Sequence, residues 1–76
     1  MNQGIGARIR VIRTQKGFSQ EYVAKKIGYK HSSTLSEIES GKKGLNSNKI
    51  PIVAEVLGVG INDLFFDQYV HKMRTS

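Results

Sequence analysis

Four glycines, Gly17, Gly28, Gly41 and Gly58, cut this chain into short segments, and the segments between them carry apolar residues at a helical period. Glycine just past an apolar stripe is a common helix stop, because the left-handed backbone needed there costs it no side-chain clash. Ile5, Ile9 and Ile12 recur at i, i+4 and i+7, which predicts a first helix from about Gly4 to Lys16. Ser19 is a good N-cap for a second, with Gln20 and Glu21 in the favourable first turn and Val23, Ala24 and Ile27 inward. The link between the two is so short that they must meet at a sharp angle. A third helix spans roughly Ser33 to Ser40, with Leu35 and Ile38 inward. Its start has two readings: Ser32 caps it, or the capping box Thr34-Leu35-Ser36-Glu37 begins it two residues later.

Pro51 limits where the fourth helix begins, since proline is tolerated only in the first turn. The expected helix runs from about Lys49 to Leu57, capped near Asn48, and buries Ile50, Val53, Ala54 and Leu57. A fifth opens near Ile61, has Asn62 and Asp63 in its first turn and buries Leu64 and Phe65. The pattern then continues through Phe66, Tyr69, Val70 and Met73 at i, i+3, i+4 and i+7. The fold class expected is all-α: a compact five-helix bundle with an extended C-terminal helix, one domain over residues 1–76. A domain this small buries only about 60% of its unfolded surface, so a second chain is expected to help hold it.

Charge narrows the partners. The net charge is +6, and it is uneven: residues 1–49 hold ten Lys/Arg against three acids, a net +7, while residues 50–76 hold two against three, a net −1. One side is expected to face a polyanion and the other to be neutral. Without cysteine there is neither a disulfide framework nor a thiolate metal site, and His31 and His71 alone make no zinc centre, so no metal or other cofactor is expected. No apolar run approaches the ~18 residues of a membrane span, and the start has no secretion-signal pattern, so the expected location is cytoplasmic, with no membrane partner. Gly4-Ile5-Gly6-Ala7-Arg8-Ile9 lacks the third glycine of a dinucleotide fingerprint and follows no strand. No paired acids, catalytic triad or phosphate loop can be assembled, so no enzymatic activity is expected.

Phe18-Ser19-Gln20-Glu21-Tyr22-Val23-Ala24-Lys25-Lys26-Ile27-Gly28, followed by Leu35-Ser36-Glu37-Ile38-Glu39-Ser40-Gly41-Lys42, resembles the helix-turn-helix family of phage repressor and Cro-like regulators, stand-alone controller proteins included. Ile52-Val53-Ala54-Glu55-Val56-Leu57-Gly58-Val59 and Asp63-Leu64-Phe65 extend the likeness to roughly residues 5–66. Each piece also has a mechanical reason: Ala24 is small where the second and third helices cross, and Leu35 and Ile38 tie the third helix down so that its other face is presented.

The resemblance implies that the third helix reads a major groove ~12 Å wide while the second lies across the phosphates. Ser32, Ser33, Thr34 and Glu37 match base-contact positions. Their hydroxyls specify weakly, the Thr34 methyl suits thymine, and Glu37 suits a cytosine amino group. Gln20, Lys30, Lys42, Lys43 and Asn46, with the residues on to Lys49, match phosphate contacts. Arg13 and Glu39 match a partly buried ion pair. One departure stands out: the turn between Gly28 and Ser36 is one residue longer than the common pattern, which leaves open which of His31, Ser32 and Ser33 reaches a base.

Plainer readings accompany these. Lys25 and Lys26 are ordinary solvated lysines, Ser32, Ser33 and Thr34 include at least one cap, and Glu37 either reads a base or pairs with a lysine. The stripe Phe66, Tyr69, Val70, Met73 exceeds what the core needs and is expected to form a homodimer interface. The expected function is a sequence-specific regulator that binds a pseudo-palindromic duplex as a homodimer, with no small-molecule ligand. Two alternatives are a protein-binding module of the same fold, such as an antitoxin or antirepressor partner, and a binder driven by charge alone.

Overall fold

At Gly28 the backbone turns left-handed, with φ 110°, and its N–H reaches back to the carbonyls of Ala24 and Lys25. Gly41, with φ 88°, repeats the device on the carbonyls of Glu37 and Ile38. A side chain at either position would be strained, which is why the helices stop there. The computed structural model describes residues 4–65. Its elements are α1 (Ile5–Lys16), α2 (Gln20–Ile27), α3 (Ser32–Ser40), a 3₁₀ turn (Ser47–Lys49), α4 (Ile50–Leu57) and α5 (Asn62–Phe65), with no strand among the described residues.

α2 is capped by Ser19, whose Oγ accepts the Tyr22 N–H at 3.0 Å. α3 follows neither expected start. It begins at Ser32, and its cap position is His31, whose extended backbone is correct for a cap but whose side chain makes no capping bond. Ser32 therefore lies inside the helix, and Thr34 starts nothing. Before α4 the chain first makes a 3₁₀ turn. Asn46 opens that turn by accepting the Asn48 N–H on Oδ1 at 2.9 Å, and α4 begins only at Ile50, with Pro51 in its first turn.

The core consists of Ile9 and Ile12 from α1, Val23, Ala24 and Ile27 from α2, Leu35 and Ile38 from α3, Val53, Ala54 and Leu57 from α4, and Leu64 from α5. Burying each large aliphatic side chain is worth about 1.5–3 kcal/mol, so this cluster is what orders such short helices. Two residues expected to be buried in the core are not fully so, although Ile50 still packs against it. Ile50 is only half-buried, because it lies at the start of α4 beside the 3₁₀ turn. Phe65 is 54% exposed: adjacent positions on a helix point about 100° apart, and Leu64 takes the inward one.

α1 packs against α3, α4 and α5, and α2 packs against α3 and α4. The α1–α3 crossing is close. A Cβ at buried Gly6 would fall inside the van der Waals contact distance of the Ile38 carbonyl oxygen. Arg8 ties α1 to α5 by donating Nε–H to the Asp63 carbonyl at 2.9 Å, while Asp63 Oδ2 accepts the Gly60 N–H at 3.0 Å. α3 is thus held from below by α1 and from the side by α2. No described helix is long and apolar enough to cross a membrane.

Candidate nucleic-acid interface

The geometry of α3 follows from which side it buries. Leu35, Ile38 and Glu39 point into the protein. At 100° per residue the opposite side then carries Ser33, Ser36, Glu37 and Ser40, and all four are exposed. Ser32 and Thr34 fall on the flanks and are half-buried. Of the four residues matched to base contacts, Ser33 and Glu37 therefore lie on the outward face and Ser32 and Thr34 at its borders. Ser36, absent from that set, stands beside Glu37. The signal for it was in the chain: position 36 lies on the side of the helical wheel away from Leu35 and Ile38.

Beneath this face lies a charged cluster that joins three helices. Arg13 of α1 donates from Nε to Glu39 Oε2 at 2.7 Å and from Nη2 to Oε1 at 3.2 Å, and its Nη1 reaches the Phe18 carbonyl at 2.8 Å. The two side chains are 11% and 2% exposed. Gln20, the first residue of α2, adds Nε2–H to Glu39 Oε1 at 2.9 Å. The amide matched to a phosphate contact is thus oriented by a buried carboxylate and keeps a second N–H to offer.

Glu37 does not pair with lysine. The only ion pair among the described residues is Arg13–Glu39. The Glu37 backbone, by contrast, is held: its carbonyl accepts from Ser40 Oγ at 3.1 Å, from the Lys42 N–H at 2.9 Å and from the Lys43 N–H at 3.1 Å. Those bonds close the C-terminal end of α3 and set Lys42 and Lys43, both exposed, just beyond it.

The long turn Tyr29-Lys30-His31 lies at the other end of α3. Tyr29 is half-buried and its N–H bonds the Ala24 carbonyl at 2.9 Å, so Lys30 and His31 are the residues left outside. Burial pushes the Tyr29 phenol up from its ordinary value. Glu21, Lys25, Lys30, His31 and Ser33 line a shallow polar groove between α2 and this turn.

The cations differ in what they already do. Lys30, Lys42 and Lys43 make no side-chain bond among the described residues. Lys49, read as one end of a phosphate-contacting stretch, is engaged inside the fold: its Nζ donates to the Ile27 carbonyl at 3.3 Å and lies 5.3 Å from the Tyr29 ring centroid. Lys26 lies 5.7 Å from the Tyr22 ring centroid. Asn46 is exposed and uses its oxygen in the 3₁₀ turn, which leaves its amide N–H groups.

The expected dimer residues Phe66, Tyr69, Val70 and Met73 lie outside the described residues. Among the described residues, exposed Phe65 and Val11 flank a groove also lined by Ile5, Ala7 and Leu64. Among the described residues no group of His, Asp or Glu could hold a metal ion.

A family model described as helix-turn-helix matches residues 9–64. Among solved structures, the restriction-modification controller protein C.AhdI from Aeromonas hydrophila is 33% identical, with a TM-score of 0.73, over 80% of this chain and 87% of that one. A hypothetical transcription factor, NHTF from Neisseria, is 24% identical with a TM-score of 0.78, over 97% of this chain and 84% of that one, and shows the fold alone. No curated protein matches the chain.

Proposed function

This chain belongs to the helix-turn-helix family of DNA-binding transcription regulators, and from that premise we propose that it is a sequence-specific regulator that binds a pseudo-palindromic operator as a homodimer. In this reading α3 enters the major groove and α2 crosses the backbone. The carrying observation is the division of α3 into a buried side and an outward face of Ser33, Ser36 and Glu37, with Lys30 at one end and Lys42 and Lys43 at the other. Ser32 and Thr34 reach the groove from its borders. Gln20, Lys30, Lys42, Lys43 and Asn46 hold the phosphates and fix the register. The controller protein that this chain resembles makes control of a restriction–modification system the first context to examine.

Selection of bound duplexes from a random library at about 150 mM salt tests the reading. The expected product is one palindromic motif with half-sites about ten base pairs apart, matching recognition helices about 34 Å apart. Sequence-blind, salt-sensitive binding alone would overturn it.

The homodimer rests on the apolar stripe Phe66, Tyr69, Val70 and Met73 in the sequence and on Phe65 and Val11, which are exposed among the described residues. The same patch favours one other reading, a protein-binding module whose partner covers it. Sedimentation at tens of micromolar separates the two: a dimer supports the regulator, and a stable monomer supports the partner.

A further inference from the structure

We propose that Glu37 makes this chain a reader of one unmodified cytosine in its operator, so that methylation of that base's exocyclic amino group releases the protein. The inference rests on the reading of α3 as the helix in the major groove.

Three observations carry it. Glu37 stands on the outward face of α3, at a point where its carbonyl is held by Ser40 Oγ, the Lys42 N–H and the Lys43 N–H and the next two residues, Ile38 and Glu39, are buried. A reading group needs this kind of fixed backbone. Its carboxylate makes no ion pair or side-chain hydrogen bond among the described residues, so its acceptor oxygens are not taken by a described neighbour. The rest of α3, Ser-Ser-Thr-Leu-Ser and Ile-Glu-Ser around Glu37, holds no Arg, Lys, Asn or Gln. Ser33 and Ser36 can donate or accept and so discriminate poorly, and the Ser40 hydroxyl already donates to the Glu37 carbonyl.

A carboxylate only accepts, and base edges differ in how they meet it. In the major groove guanine shows two acceptors, thymine an acceptor and a methyl, and adenine a donor beside the N7 acceptor. Cytosine alone shows a donor and no acceptor on its own edge, the nearest acceptor being O6 of the paired guanine, to which the amino group already donates. Glu37 therefore selects cytosine partly by repelling the other three edges, which is specificity by exclusion.

The same geometry makes the contact sensitive to modification. One hydrogen of the cytosine amino group pairs with guanine and the other faces the groove. When pairing is kept, a methyl on that nitrogen takes the groove-facing position. The donor is lost and the carboxylate meets an apolar group with its charge unanswered.

The test has two steps. Random-duplex selection is run with the natural chain, Glu37→Ala and Glu37→Gln, with circular dichroism confirming that each variant is folded. The expected result is a cytosine column that disappears with Glu37→Ala and moves toward adenine with Glu37→Gln, whose amide suits the adenine N6/N7 pair. Synthetic duplexes of the recovered site are then compared with cytosine or N4-methylcytosine in that column. The natural chain should bind the methylated duplex about tenfold more weakly, and Glu37→Ala should bind both alike. Equal binding of both duplexes by the natural chain, or a cytosine column that survives in Glu37→Ala, overturns the inference while leaving the operator reading intact. Failure of the natural chain to select any motif overturns both.

Discussion

Gly6 and Arg13 show how single positions set the placement of α3. Gly6 has room for hydrogen only, because the Ile38 backbone lies against it. Gly6→Ala improves helix propensity by about 1 kcal/mol, yet it must push α1 and α3 apart at a cost of about 1–3 kcal/mol or more. The second effect wins, so thermal unfolding should occur at a lower temperature. Arg13 answers the charge of Glu39, whose side chain is 2% exposed. Arg13→Met should cost about 3–5 kcal/mol, a large part of the ~5–15 kcal/mol that holds a domain together, because the carboxylate stays behind unpaired. Arg13→Met combined with Glu39→Leu should recover much of that loss in urea titrations. If the double variant is no more stable than the single one, the cost lies in lost packing and not in stranded charge.

Among the elements, α3, like α1 and α4, begins without a side-chain cap. His31 has the backbone of a cap and no capping bond, whereas Ser19 does cap α2. His31→Asn should raise folding stability by about 1 kcal/mol, visible as a higher urea midpoint with an unchanged slope. An unchanged midpoint would mean that the N-terminal end of α3 is satisfied in some other way. The helix stops at Gly28 and Gly41 and the Ser19 cap were legible in the chain, because each depends on residues within one turn of itself. The start of α3 was not. Serine and threonine at positions 32, 33, 34 and 36 offer several local starts, and the one adopted follows from docking Leu35 and Ile38 against α1 and α2.

Among the described residues, the basic excess includes cations at the two ends of α3, Lys30, Lys42 and Lys43, and cations already in use, Arg8, Arg13 and Lys49, while Arg10, Lys16 and Lys25 belong to neither group. Lys43→Ala should weaken binding to all sequences alike and reduce the slope of log affinity against log salt by about one. Lys49→Met should leave that slope unchanged and lower stability by about 1 kcal/mol, since its Nζ serves the Ile27 carbonyl and the Tyr29 ring. Measuring both variants across a salt series checks the division. A reduced slope for Lys49→Met would place that lysine on the phosphates after all.

Helix type, helix order, the core stripe of each helix and the basic character of the first two thirds could all be read from the chain. They depend on periodicity, on caps and on summed charge, which act over a few residues or over none in particular. The start adopted by α3, the engagement of Lys49, the exposure of Phe65 and the lack of a partner for Glu37 among the described residues depend on which elements lie alongside. Lys49 is occupied because the 3₁₀ turn brings it back against the end of α2, and Phe65 is outward because Leu64 takes the place against α1. Such neighbours are far apart in sequence, so only the packed tertiary structure decides them.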